Sequence, residues 1–128
     1  MICLIILILS SCENAELYLI SPSNDNNDLL NNCDSLKIKL TVLQDTVKET
    51  EYFTVVKNGN AVFNLINDNK INLNRRVSLK LVILNENTNP SCTFKENQVY
   101  TVNNIFLKKL QKQLNIYEIE LSNFYRVN

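Results

Sequence analysis

The stretch Leu36-Lys37-Ile38-Lys39-Leu40-Thr41-Val42 alternates apolar and polar side chains without a break. A period of two sends every second side chain to the same side of an extended backbone, so the segment predicts a strand with one buried and one wet face. Downstream, Tyr52 to Lys57 and Asn60 to Leu65 flank Asn58-Gly59, the strongest two-residue hairpin signal in the chain. A type I′ turn there sets Val56 opposite Ala61, Thr54 opposite Phe63 and Tyr52 opposite Leu65. That side of the hairpin is expected to be its core face.

Further strands follow outward from this centre. Val77 to Leu84 (VSLKLVIL) is nearly all apolar, as expected of a central strand covered on both sides. Val99 to Val102 and Tyr117 to Leu121 complete the set, the latter with Tyr117, Ile119 and Leu121 inward and Glu118 and Glu120 outward. Ile105 to Leu114 reads two ways: Leu107, Leu110 and Leu114 have helical spacing, whereas Ile105 and Leu107 alternate, and strand or loop is the favoured reading. Short strands joined by Asn-rich turns predict an all-β fold, a small antiparallel β-sandwich of Ig-like or prealbumin-like type.

The chain has 128 residues, enough for one domain, with 13 basic against 13 acidic side chains, four Cys, one Gly, and neither His nor Trp. Balanced charge removes the usual electrostatic footprint of a nucleic-acid binder. The missing His removes the commonest general base and metal ligand, and a Cys/His nucleophile cannot be assembled. The 22 Asn are a compositional excess without chemistry of their own.

Ile2 to Leu9 (ICLIILIL) is an uninterrupted apolar run, far short of the ~20 residues that a membrane-spanning helix needs. Small polar residues follow at once, as in a secretory signal peptide, although no Lys or Arg precedes the run. Leu9-Ser10-Ser11-Cys12 resembles the lipobox of bacterial lipoproteins: an aliphatic residue, two small residues, then the cysteine that is lipidated. The resemblance implies cleavage by signal peptidase II before Cys12 and acylation of Cys12, palmitate being a typical chain. Glu13, standing where Asp would signal inner-membrane retention, implies the outer membrane or cell surface. Two or three acyl chains, at about 0.8 kcal/mol per buried CH2, would hold a small domain durably.

With Cys3 in the signal peptide and Cys12 assigned to lipid, Cys33 and Cys92 remain. An exported domain sits where disulfides persist, so a Cys33–Cys92 bridge is expected, a free thiol pair being the alternative.

The expected division is 1–11 signal peptide, 12–34 lipidated N-terminus and acidic Asn-rich tether, and 35–128 sandwich. The tether carries Glu13, Glu16, Asp25, Asp28 and Asp34 without a Lys or Arg, a linker composition in which Leu17 to Ile20 would add at most an edge strand. Asn24, Asn26 and Asp28 alternate like calcium-loop ligands, but Leu29 replaces the loop glycine and Ser35 the bidentate glutamate, so no metal or other cofactor is expected.

Glu49/Glu51 and Glu118/Glu120 each lie two residues apart on one strand face, the placement of a paired acid/base site or of a solvated surface. Lacking the other parts, the chain is read as non-catalytic. Lys70, Arg75, Arg76, Lys80, Lys95, Lys108, Lys109 and Lys112 face only Glu86 and Glu96 in the same interval. Lys108, Lys109 and Lys112 are the candidate surface for an anionic ligand. The sequence thus predicts a lipid-anchored envelope module that meets the membrane through its lipid and binds a protein or envelope polymer. A secreted, unlipidated inhibitor or effector is the alternative.

Overall fold

Nine strands occur among the residues that the computed structural model describes: 13–21, 29–45, 48–67, 71–111 and 114–128. They are β1 (Glu13–Ile20), β2 (Lys37–Gln44), β3 (Lys48–Val55), β4 (Ala61–Asn67), β5 (Val77–Ile83), β6 (Val99–Ile105), β7 (Lys108–Gln111), β8 (Leu114–Glu120) and β9 (Tyr125–Arg126). A four-stranded sheet has the order β4-β1-β8-β7 and a five-stranded sheet the order β3-β2-β5-β6-β9. Every neighbouring pair is antiparallel except β1 and β8. The all-β sandwich expected from the alternation is what forms.

Alternation places the core. Leu17, Leu19, Phe63, Leu65, Tyr117 and Ile119 point inward from the first sheet. Ile38, Leu40, Val42, Leu79, Leu81 and Ile83 meet them from the second. Each fully buried aliphatic or Phe side chain contributes about 1.5–3 kcal/mol relative to exposure, offset by the entropy of ordering the chain.

Three expectations need correction. Glu13–Ile20, assigned to the tether and at most to an edge, is an inner strand held by β4 on one side and β8 on the other. Ala15, Leu17 and Leu19 alternate with Asn14, Glu16 and Tyr18, and burying the three outweighs the linker-like charge balance of the surrounding stretch. The chain from Leu29 also belongs to the domain, since Leu30 and Cys33 are buried. Residues 22–28, with the calcium-like cluster, lie outside the described residues.

Second, Asn58 and Gly59 take φ of 52° and 76°, as a type I′ turn requires, and Lys57 and Asn60 exchange backbone hydrogen bonds of 3.0 and 2.9 Å. Beyond that single bridge the arms part, β3 pairing with β2 and β4 with β1. Val56, Ala61, Phe63 and Leu65 still face the core, while Thr54 and Tyr52 cross the gap to donate to the Val62 and Ile66 carbonyls at 2.7 and 3.5 Å. These donors occupy carbonyls on the outer edge of β4, which has no strand neighbour there among the described residues.

Third, β5 is central but covered on one side only: Val77, Leu79, Leu81 and Ile83 are buried, and Ser78, Lys80 and Val82 are half-exposed. The ambiguous stretch resolves as strand, β6 ending at Ile105 and β7 starting at Lys108, so that Phe106-Leu107 carries the chain from one sheet to the other.

The two ends of the sandwich are closed by different chemistry. At one end Cys33 and Cys92 form a disulfide, S–S 2.12 Å with Cα atoms 5.0 Å apart, bridging positions separated by 59 residues. Ser35 N–H donates to Val56 O and Val56 N–H to Leu36 O nearby, and the Asn85 amide donates to Ser35 O. At the other end the buried Gln44 clamps the loop into β5. Its amide donates to Asn72 O and Arg76 O at 2.8 and 3.1 Å, and its carbonyl accepts from Asn72 N–H at 2.8 Å. Left-handed backbone also occurs at Ser35, Asp45, Asn97 and Asn104, so non-glycine residues make most of the sharp corners.

Candidate binding surfaces

The sheets present their outer faces to solvent, and the strand registers show what each carries. On the four-stranded sheet, Tyr18 lies between Val62 and Glu118, Glu16 between Asn64 and Ile116, and Ile20 beside Glu120. Lys108 on β7 completes the Tyr18 row and bridges Glu118 at 3.1 Å. Glu16 and Glu120 have no ion-pair partner among the described residues. This face is acidic with an apolar share: Ile66 is 65% exposed, and Tyr18, Val62 and Ile116 are half-buried.

The five-stranded sheet is opposite in sign along its middle. Phe53, Lys39, Val82 and Val99 form one row across four strands, and Glu51, Thr41, Lys80, Thr101 and Tyr125 form the next. Lys39 bridges Glu51 at 3.5 Å, whereas Lys37 and Lys80 have no ion-pair partner among the described residues. Phe53 is 63% and Tyr125 54% exposed. Thr41 is buried on this outer face and its hydroxyl has no hydrogen-bond partner among the described residues. Long side chains must lie along the sheet to cover it, stems down and charges outward.

Concave space is found where β7 stops short. Lys108 pairs with Glu118, leaving Ile119 and Glu120 without a β7 neighbour. A cleft of about 440 Å³ opens in this notch, with Ile20, Val102, Ile105 and Phe106 as apolar walls and Glu120 and Asn123 among the polar groups. Around the other side of Phe106 lies a second hollow of about 370 Å³ containing Asp45, Arg75 and Arg76. Arg76 stacks on the Phe106 ring at 4.5 Å and donates to Asn104 O at 3.0 Å, and Arg75 meets Asp45 at 3.4 Å.

The candidate residues are dispersed across these features. Lys108 is held by Glu118, and Lys109 stands over the Tyr117 ring at 5.8 Å, so both described lysines of the expected anionic-ligand surface already have partners. Lys112 and Lys70 lie outside the described residues, as does Cys12. Glu49 and Glu51 share the outer face of β3, opposite Leu43 and Thr41. Glu118 and Glu120 share that of β8, one bridged to lysine and the other in the notch. No group of three or more potential metal ligands occurs among the described residues. At Tyr100, inside the end of β6, burial raises the phenol above its ordinary range while Arg126 acts in the opposite direction.

The alternation identifies Lys37 and Lys39 as residues of a wet face, but not the strip they form with Lys80. That strip exists only because β5, remote in sequence, pairs with β2 in this register. Phe106 carries no sequence signal beyond its apolarity. No family model, curated protein sequence or solved structure matches the chain.

Proposed function

We propose that the protein is a lipid-anchored lipoprotein of the bacterial cell envelope, serving as a non-catalytic binding or structural module at the outer membrane or cell surface. The observation that carries this reading is Leu9-Ser10-Ser11-Cys12 at the close of a short apolar run. A disulfide between the two cysteines left after Cys3 and Cys12 are set aside is in keeping with export. Because Cys12 is bonded to Glu13, the first residue of β1, the acyl chains would attach at the start of an inner strand without an intervening linker.

The connectivity favours the prealbumin-like form of the sandwich. β2 and β3 are neighbours in one sheet, whereas an immunoglobulin constant domain divides its second and third strands between sheets. Broad, partly apolar outer faces suit a partner that is itself a folded surface or an extended polymer.

Metabolic labelling with a fatty acid tests the anchor. The wild-type chain should take up label and enter the detergent phase, and Cys12→Ala should do neither. A wild-type chain that stays unlabelled and aqueous would instead identify a secreted domain and end the lipoprotein reading.

A further inference from the structure

We infer that the acidic outer face of the four-stranded sheet docks on the basic outer face of the five-stranded sheet of a second copy, building head-to-tail oligomers. The inference deepens the reading of a binding or structural module by naming its partner, another copy of this chain. It rests on three observations: apolar content, sign of charge and spacing.

Both faces carry apolar side chains that are exposed or half-exposed. Tyr18, Val62, Ile66 and Ile116 occupy one, and Phe53, Val55, Val82, Val99 and Tyr125 the other. Contiguous exposed apolar side chains interspersed with charge are the composition of a protein-interaction surface.

The charges left after internal pairing are of opposite sign. Lys108 compensates Glu118 and leaves Glu16 and Glu120; Glu51 compensates Lys39 and leaves Lys37 and Lys80 along β2 and β5, with Glu49 out at the β3 edge. A twofold contact between like faces would set carboxylate against carboxylate, or ammonium against ammonium, at a cost of several kcal/mol. The unlike faces attract, and an interface between two different patches of one molecule is heterologous: it repeats into a ring or a filament.

The spacing of the residual charges matches. Glu16 is opposite Ile116 and Glu120 opposite Ile20, so the two carboxylates are four residues apart along the strands and one strand across. Lys37 accepts a backbone hydrogen bond from Leu84, and Lys80 is four residues from Leu84 on the neighbouring strand, the same displacement. With ~3.3 Å per residue and ~4.8 Å between strands, both pairs are about 14 Å apart. Superposing them leaves the two strand directions within roughly 40° of each other, close to the aligned packing of sheets.

The test uses the full chain carrying Cys12→Ser, so that acyl chains cannot drive association, with fatty-acid labelling of the wild type run separately. Failure of labelling would remove the anchor and leave the docking standing; failure of association would do the reverse. Sedimentation velocity should show concentration-dependent species beyond the dimer that weaken as salt is raised. Lys37→Glu with Lys80→Glu, and separately Glu16→Lys with Glu120→Lys, should each lower the association constant at least ~10-fold.

Mixing the two charge-reversed proteins should restore association beyond the dimer, because their intact faces attract each other and their reversed faces, with the two signs exchanged, attract as well. A Cys12→Ser chain that remains monomeric at ~100 μM, above the micromolar range of ordinary specific contacts, would overturn the inference. So would either reversed variant associating by itself as tightly as the unreversed protein, or a mixture that associates no better than its components. Should a reversed protein fail to fold by circular dichroism, zero-length carbodiimide coupling decides on unreversed protein. Peptides joining Glu16 or Glu120 to Lys37 or Lys80 between copies support the docking, and their absence from coupled oligomers refutes it.

Discussion

The two ends of the sandwich solve one problem by unlike means. At the first, a covalent bond ties the loop before β2 to the loop after β5, beside the buried Leu30, Leu36 and Val56. At the second, one buried amide, Gln44, satisfies three backbone groups of the loop that leads into β5. A disulfide acts mainly by restricting the unfolded chain, so its removal leaves the folded contacts in place. The glutamine acts in the folded state alone, and its removal orphans part-buried backbone donors and acceptors. The comparison teaches that the same job carries two different vulnerabilities, one to reduction and one to a single substitution.

The largest way to break the symmetry is to remove the bond. Cys33→Ala with Cys92→Ala should cost about 4 kcal/mol by the chain-entropy relation for a loop of this length. Chemical denaturation reads it, and a loss below ~1 kcal/mol would show that the bridge is dispensable to that end. Next, Gln44→Leu keeps the approximate volume but strands Asn72 N–H and the Asn72 and Arg76 carbonyls. A cost of about 2–3 kcal/mol is expected, with faster amide exchange confined to the loop before β5. Uniformly faster exchange across both ends would contradict a local clamp.

Gly59→Ala probes the covalent end at its hairpin. The φ of +76° disfavours a side chain, and an added Cβ would collide with the Asn31 side chain in the 3₁₀ turn Leu29–Asn32. Thermal unfolding should register about 1–2 kcal/mol. Smallest is Asp45→Asn at the polar end, which removes the exposed Arg75 pair. It should change stability by less than about 0.5 kcal/mol, and a larger loss would move that ion pair from the surface into the clamp.

Much of this architecture was legible where a single strand could be read by itself. The alternation from Leu36 to Val42 located β2 and its faces, and the cysteine count led to the bridge. Glu13–Ile20 misled because its acidic and Asn neighbours resemble a linker, while its apolar residues acquire meaning only between β4 and β8. The Asn58-Gly59 turn was readable because turn chemistry is local. The parting of its arms was not, since partner choice depends on β1 and β2. Candidate sites suffered most: the Lys37/Lys80 strip and the Phe106 cleft are products of register and of where β7 ends.

The scarcity of glycine has a consequence in time rather than in shape. With one glycine in the whole chain, left-handed corners fall to residues such as Asn58, Asn97 and Asn104. Asparagine is among the thermally labile side chains, and it is most so when glycine follows, because the next backbone nitrogen can then attack the amide. Asn58-Gly59 is such a pair, standing at the tip of the hairpin that feeds both sheets. Succinimide formation and opening to isoaspartate would insert a methylene into the backbone of a two-residue turn. The Lys57–Asn60 bridge would lose its register, and the corner that best suits the fold would be the first to age.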